Sequence, residues 1–447
     1  MPTGPGSPVD VTRGAGPPLR GRRVVVISSE QPGRRMAGPA VRALSWATEL
    51  AAAGAEVLLA VPESPDREFS VPVVTFGRPS PRGFHRLAGE CDVVIAQPQR
   101  VDVAAGLHRG GARVVYDMYV PSYVEYPASM LAAGGTDRRT RRLIERNPRE
   151  YAAAISSGDG FLVASHRQKD YLWGALGQAG RLQAPASAHA EARPEVVVAP
   201  FGLSPDTPPE PQGHALKGEL VAADAFVALW AGGVWNWFDP ATVIEGVRLA
   251  RARDPRITLV FLAAGHPSAA FIGQDAASAA LRSPAAQALM EDGAVVFADS
   301  WVPHQQRWAY LRDADVGVCG HFASPETRLS FRTRFLDHLW SGLPTLTTEG
   351  GVLSEEICSA GAGICLPAGA PDAWADALVS LAADPQMGRS MSAAARRLAA
   401  DYTWPTIAHA VVGLVQRLAV GDAPRKRRPR AGEVASYLAV ALENRLR

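Results

Sequence analysis

Short apolar runs alternate with helical stretches along most of the chain. Val24-Val25-Val26-Ile27 presents apolar side chains to both faces of any strand it forms, as a strand covered on both sides by helices must. A polar loop over 28–37 follows. Gly38-Pro39 then opens a helix, with proline at the first helical position, and Gly54 stands where that helix should stop. Residues 56–60 supply the next strand and close one β-α-β unit. The same rhythm predicts strands at 92–96, 113–116, 160–164 and 195–199. A second series is predicted at 226–230, 258–262, 294–297, 315–319, 344–347 and 363–366. Helical patterns such as 240–251 and 333–341 lie between them. Alternation of this kind implies an α/β architecture of two doubly wound parallel sheets.

Punctuation divides the series. Residues 204–213, with Pro205, Pro208, Pro209, Pro211 and Gly213, read as an inter-domain linker. The resulting division is a Gly/Pro-rich disordered tail over 1–21, a Rossmann-like domain over 22–203, a linker over 204–220, a second Rossmann-like domain over 221–405, and a C-terminal helix and tail over 406–447. The tail contains a basic run, Arg425, Lys426, Arg427, Arg428, Pro429 and Arg430. Behind it Val434, Tyr437, Leu438 and Ala441 share one helical face. A basic run beside an amphipathic helix suits weak peripheral contact with an anionic membrane face; a solvated linker and a packed terminal helix are the competing reading.

Composition narrows the function classes. The chain has 447 residues, 47% of them hydrophobic, which suits about two or three domains with proper cores. Lys and Arg number 46 against 44 acidic residues, a balance that argues against nucleic acid as a partner. Four cysteines without a C-x-x-C spacing read as buried, reduced thiols, and no apolar run approaches membrane-spanning length. The expected location is cytoplasmic, with peripheral contact at the inner membrane face left open through 425–430. No phosphate-binding P-loop, dinucleotide fingerprint, nucleophile elbow or H-E-x-x-H zinc motif is present. Asp313 and Asp315 form a D-x-D pair at a helix–strand boundary, where a structural role is favoured over a metal. Single histidines such as His266 and His304 read as structural.

Three segments should converge at the carboxyl ends of the strands, where open α/β sheets bind ligands. The first runs from Met36 to Arg42. Gly38 admits close backbone approach, and the following helix points free amides into the cleft, as a phosphate requires. The second follows the first strand of the second domain, where Gly232-Gly233 makes an anion-accepting turn and Trp235 and Trp237 either cover a sugar or base or simply pack. The third runs from Glu326 to Pro344. Arg332 and Arg334 precede a helix and can hold a pyrophosphate bidentately. Asp337, on that helix, can accept hydrogen bonds from ribose hydroxyls. Gly350-Gly351 adds a glycine turn at the same sheet edge.

From about Arg22 to about Thr406 these features resemble GT-B fold glycosyltransferases of glycosyltransferase family 4. The segment from Ser330 to Pro344 is similar to the family's basic residue, acidic residue on a helix, then A-x-G-x-P, with Asp337 at the position of its ribose-binding glutamate. Gly350, Gly351 and Glu355 resemble the glycine turn and acid that follow. Gly38 to Arg42 resembles the glycine loop near the donor phosphates, Gly54-Ala55-Glu56-Val57 its G-H-E-V, and Pro200-Phe201-Gly202-Leu203 its interdomain hinge. Trp404 resembles the tryptophan before a last helix that crosses back to the first domain. Two departures stand out. The family places an Arg and a Lys after the first strand of the second domain, whereas here no cation follows Gly233 until Arg248. Glu326 and Asp337 also lie farther apart than the family's paired acids.

The resemblance implies a retaining glycosyltransferase that moves a sugar from a nucleotide-diphosphate sugar to the hydroxyl of a small-molecule or glycan acceptor. With Arg332, Arg334 and helix-end amides neutralising the diphosphate, no divalent metal and no cofactor is then required, and the bacterial subgroup that the resemblance points to serves surface-polysaccharide and secondary-metabolite pathways. Gly38, Gly232, Gly233, Trp235, Arg332, Arg334, Asp337, Gly350 and Gly351 would bind the donor. Asp117 and Glu125, on the acceptor domain, would orient the attacking hydroxyl, and Glu326 would contact the sugar. Either of the first two acids could equally be structural. A GT-B-fold nucleotide-sugar epimerase and an inactive nucleotide-binding or partner subunit remain the alternatives, and a homo-oligomer is left open.

Overall fold

The computed structural model describes residues 17–33, 36–125, 127, 138–182, 194–209, 213–262, 280–298, 302 and 306–420. Its first sheet contains β1 (Arg23–Ile27), β2 (Glu56–Val61), β3 (Val73–Thr75), β4 (Val93–Ala96), β5 (Arg113–Asp117), β6 (Gly160–Val163) and β7 (Glu195–Val198). Its second contains β8 (Phe226–Trp230), β9 (Ile257–Phe261), β10 (Val295–Phe297), β11 (Val316–Cys319), β12 (Thr345–Thr348) and β13 (Gly363–Leu366). The strand orders are β3-β2-β1-β4-β5-β6-β7 and β10-β9-β8-β11-β12-β13. Every paired strand runs parallel, with registers such as Val24↔Val57 and Val24↔Val93 around β1. Both sheets therefore reverse direction of growth beside their first strand, between β1 and β4 and between β8 and β11. Such reversals open a crevice at the carboxyl ends of the strands.

β4 and β9 are buried along their whole length and β8 in all but its first residue, as their apolar runs demand. Helix α1 (Gly38–Ala52) has Pro39 in its first turn and ends before Gly54, whose φ of 94° only glycine adopts without strain. It buries Trp46 and Leu50, each contributing roughly 1.5–3 kcal/mol relative to exposure. Strand β3 was not anticipated: three half-exposed edge residues carry too little pattern to register.

The last described helix, Trp404–Val420, leaves the second domain and packs on the first. Its buried face is Trp404, Ile407, Ala408, Val411, Leu414 and Val415. Trp404 meets Trp46 edge to face at 5.2 Å, and Leu414 fills the space beside Gly160. Beside it the hinge segment pairs with the chain entering this helix: Leu203 donates to Tyr402 O at 2.7 Å, and Trp404 donates to Leu203 O at 2.9 Å. The two crossings between domains thus lie side by side.

Several features refine the sequence-based picture. Residues 17–21 belong to the packed structure: Leu19 is fully buried and its amide donates to Ala53 O at 3.0 Å. Leu216, within the stretch read as a linker, is also fully buried, and the amides of Ala215, Leu216 and Lys217 all donate to Asp313. Asp315 accepts from Lys217 and the Val227 amide, so both acids of the D-x-D pair tie loop backbone to the sheet. The expectation of reduced thiols holds for Cys91 and Cys319 but is corrected for Cys358 and Cys365, which form a disulfide. Helix 352–359 turns back into β13 and brings their Cα atoms to 6.0 Å. His266, His304, the basic run 425–430 and the face of Val434, Tyr437, Leu438 and Ala441 lie outside the described residues. Among the described residues no helix is long and apolar enough to cross a membrane.

Candidate active site

At the end of β8, Gly232 adopts φ 108°, which turns the chain back over the strand ends. The indole of Trp235 folds onto Gly233, and a Cβ there would lie 3.2 Å from the ring. Trp237 is buried beside it at 6.0 Å, a packing residue. The charge missing from this turn arrives from another element. Arg334 opens helix α10 (Arg334–Ser341) and stretches its guanidinium to the turn, where Nη2 donates to Gly233 O at 2.7 Å. The group lies 4.1 Å above the Phe238 ring. Burial pushes the Arg334 pKa down from its ordinary value, and the charge of Arg332 pushes it further in the same direction.

Glu326 sits on a single helical turn, Pro325–Leu329, capped by Ser324, whose hydroxyl accepts from the Thr327 amide. Both Glu326 oxygens are held by Arg332: Nη1 donates to Oε1 at 3.1 Å and Nη2 to Oε2 at 2.8 Å. The pair is buried, so each charge depends on the other. Glu125 reaches the same spot from the first domain. The Ser330 hydroxyl donates to Glu125 Oε1 at 3.2 Å across the cleft. Burial raises the Glu125 carboxyl to about 7, with the nearby Glu326 charge adding to the effect. A cleft carboxyl tuned near neutrality is a common attribute of groups that work in catalysis.

Asp337, three residues into α10, pairs with Arg307 at 3.0 Å at the half-exposed edge of this site. The glycine turn after β12 lies opposite. Gly350 holds φ 94°, and its open face meets Thr327, 3.9 Å from where a Cβ would stand. Gly351 then stands at the N-cap of helix α11 (Val352–Ser359) and supplies no capping side chain. Arg167 of the first domain fastens this turn: Nη1 donates to Gly350 O at 2.7 Å and Nη2 to Glu355 at 2.5 Å. Its neighbour Gln168 donates to Leu329 O at 2.7 Å and to Tyr119 O at 3.0 Å.

In the first domain, Arg42 and Asp117 form a buried knot. Arg42 Nε and Nη2 donate to the two Asp117 oxygens at 2.7 and 2.9 Å, and the Trp46 indole donates to Asp117 at 3.0 Å. The remaining Arg42 donors reach Ala199 O and Pro200 O, both at 2.7 Å. Its guanidinium lies between the rings of Trp46 and Tyr119. The knot ties the first helix, β5 and the start of the hinge together beneath a shallow recess lined in part by Ser29, Pro39, Gln97 and Tyr119. Gly38 faces Tyr119 and Phe201 at this rim, at ordinary contact distance.

The fold thus gathers Glu125, Glu326, Arg332, Arg334, Gly232, Gly233, Gly350 and Gly351 around one cleft, with Asp337 at its edge and Trp235 over the turn. Asp117 lines the separate recess, where it is saturated by donors, and Gly38 stands beside Tyr119 next to it. Sequence reasoning named Arg42 without its partner and missed Ser330, Arg167 and Gln168 as cross-cleft contacts. Their partners are 161 to 205 positions away in the chain, beyond any local pattern. Among the described residues no group of His, Cys, Asp and Glu is arranged to hold a metal.

No protein-family model matches the chain. A D-inositol 3-phosphate glycosyltransferase from Jonesia denitrificans is 27% identical over 232 residues, 50% of this chain and 51% of that protein. The chain thus spans about half the length of the curated relative it matches. Among solved structures, an α,α-trehalose 6-phosphate synthase from Burkholderia multivorans superposes with a TM-score of 0.65 at 13% identity, over 92% of this chain and 99% of that one. HepE from Anabaena, solved with UDP and glucose, superposes with a TM-score of 0.61 at 16% identity, over 88% and 99%. At such identities the likeness concerns the fold, and the fold of this chain is GT-B.

Proposed function

We propose that this GT-B chain is a family 4 glycosyltransferase that moves a sugar from a nucleotide-diphosphate sugar to an acceptor hydroxyl with retention of configuration. The observation that carries the reading is Arg334. A guanidinium from α10 stands against the Gly232–Gly233 turn, at the strand ends where the family keeps its diphosphate cations on the turn itself. The charge needed at that place is supplied from a different element.

The second domain would take the donor. Asp337 would turn from Arg307 toward the ribose hydroxyls, and the Gly350–Gly351 turn would admit the diphosphate to the open amides of α11. Arg334 would neutralise the charge that develops as the sugar C1–O bond breaks, the dominant contribution in such transfers. Guanidinium and amide donors suffice for that task, which makes a metal-independent reaction our reading. The acceptor oxygen would form its bond to C1 on the face the phosphate leaves, and its proton would pass to the departing phosphate oxygen. Glu125 would orient that hydroxyl from the first domain, while Glu326, held by Arg332, would face the sugar. Contacts from Arg167 and Gln168 across the cleft would exclude water and limit donor hydrolysis. We place the reaction in the cytoplasm, in synthesis of bacterial surface glycans or secondary metabolites.

The test is a thermal-shift titration of UDP, GDP, ADP and dTDP without metal and then with magnesium, followed by turnover with sugars of the nucleotide that binds. Binding to the folded state raises the melting temperature by linkage. A selective metal-free rise, abolished by Asp337→Ala, and acceptor-dependent nucleotide release are the expected results. Sugar interconversion without acceptor would identify an epimerase instead. Binding without any turnover would identify an inactive subunit.

A further inference from the structure

His321 begins the loop after β11, next to the point where the second sheet reverses. Its side chain is fully buried, and no hydrogen bond of ordinary geometry reaches either ring nitrogen, the Phe322 backbone lying beside the ring. Two further orphaned nitrogens belong to its neighbours: Arg332 Nε and Arg334 Nη1 are also buried without partners. The three side chains form one cluster. Both guanidinium groups lie against Phe238, at 5.0 and 4.1 Å, and the Phe238 backbone bridges to His321. Each buried donor left empty costs about 1–3 kcal/mol, so several in one place call for a ligand that fills them.

The surroundings specify an anion. The His321 backbone is fixed by its amide, which donates to Thr348 Oγ1 at 3.1 Å. The ring faces the glycine turn: a Cβ on Gly351 would stand 3.8 Å from Nε2. The uncapped first turn of α11 begins at that same Gly351. Burial and the two arginine charges hold the imidazole neutral, with its pKa down at about 2. A third cation beside two guanidinium groups would repel them, whereas a neutral ring N–H adds a donor without adding charge.

We infer that His321 is a phosphate-binding residue, whose ring N–H joins Arg332 Nε, Arg334 Nη1 and the amides of α11 in a cradle for the sugar-proximal phosphate of a nucleotide diphosphate. The assignment to the sugar-proximal phosphate rests on the glycosyltransferase reading; the cradle itself requires only a diphosphate.

Isothermal titration of the full chain with inorganic pyrophosphate, without metal, tests it. The wild type binds; His321→Ala weakens binding by at least about tenfold, the loss expected for one hydrogen bond to a charged group. His321→Gln, which keeps an N–H near the Nε2 position, recovers most of that loss. Pyrophosphate also shifts the ¹⁵N resonance of the His321 ring in the wild type, which decides the matter if the alanine variant does not fold. Wild-type affinity in His321→Ala, absence of pyrophosphate binding by the wild type, or an unmoved ring signal would each overturn the cradle. Pyrophosphate binding without acceptor-dependent release from any nucleotide sugar would defeat the transferase reading and leave the cradle standing.

Discussion

Asp117 and Glu125 sit eight positions apart and read alike in the sequence, as acids on an acceptor domain. Their surroundings separate them. Asp117 spends both oxygens on Arg42 and takes a further bond from Trp46. Removing one partner strands the other charge in the interior, a loss of about 3–5 kcal/mol. Arg42→Ala is therefore expected to lower the unfolding free energy measured by urea denaturation by that amount, and Asp117→Asn to lower it as well. A stable Asp117→Asn protein with kcat reduced a thousandfold would restore Asp117 to the chemistry. Glu125 has one hydroxyl contact and a carboxyl raised to about 7 by burial and by Glu326. Because the folded-state value lies above the unfolded one, the folded chain retains a proton that the unfolded chain releases. Stability is lost as pH rises from the ordinary carboxyl range through 7, and Glu125→Gln escapes that loss. The melting temperature of Glu125→Gln relative to wild type should therefore be higher at pH 8 than at pH 5. If the carboxylate orients the acceptor, kcat/KM rises with pH through about 7 in the wild type, and the variant lacks that step.

At the scale of elements, legibility followed burial. Strands such as β4 and β9 declare themselves because both faces are covered and their residues, Thr258 apart, are apolar. β3 has only half-exposed residues at a sheet edge, and the turn carrying Glu326 is five residues long; neither is long enough to show a period. The glycine turns were legible as turns, since Gly232 and Gly350 both hold φ values that other residues adopt only with strain. Their chemistry was half legible. The sequence shows no cation after Gly233, and only the direction of α10 shows that Arg334 fills the gap. The disulfide was illegible because Cys358 and Cys365 belong to no spacing motif; the return of α11 into β13 brings them together.

For the molecule as a whole, the α/β alternation and the proline-rich break foretold two Rossmann-like units, but the contacts between them depend on three-dimensional placement. Arg167 joins the first domain to the glycine turn and to Glu355 of the second. Its ion pair is half-exposed and contributes little alone, about 1 kcal/mol or less. Its hydrogen bond to Gly350 O acts directly on a donor-site turn. Arg167→Ala should leave the melting temperature nearly unchanged, raise the donor KM by about tenfold or less, and increase the radius of gyration measured by small-angle scattering. An unchanged KM and radius would show that the cleft closes without it.

The return of the Trp404–Val420 helix to the first domain also has a consequence in time. The groove that receives Trp404 and Leu414 is built by residues such as Trp46 and Gly160, which a ribosome makes long before. At roughly 5–20 residues per second, the hundreds of residues between them take on the order of ten seconds to a minute to synthesise. Throughout that interval the first domain can form its sheet but carries an uncovered apolar groove. The nascent chain is thus exposed to aggregation, and to capture by chaperones, until the helix over Trp404–Val420 is released.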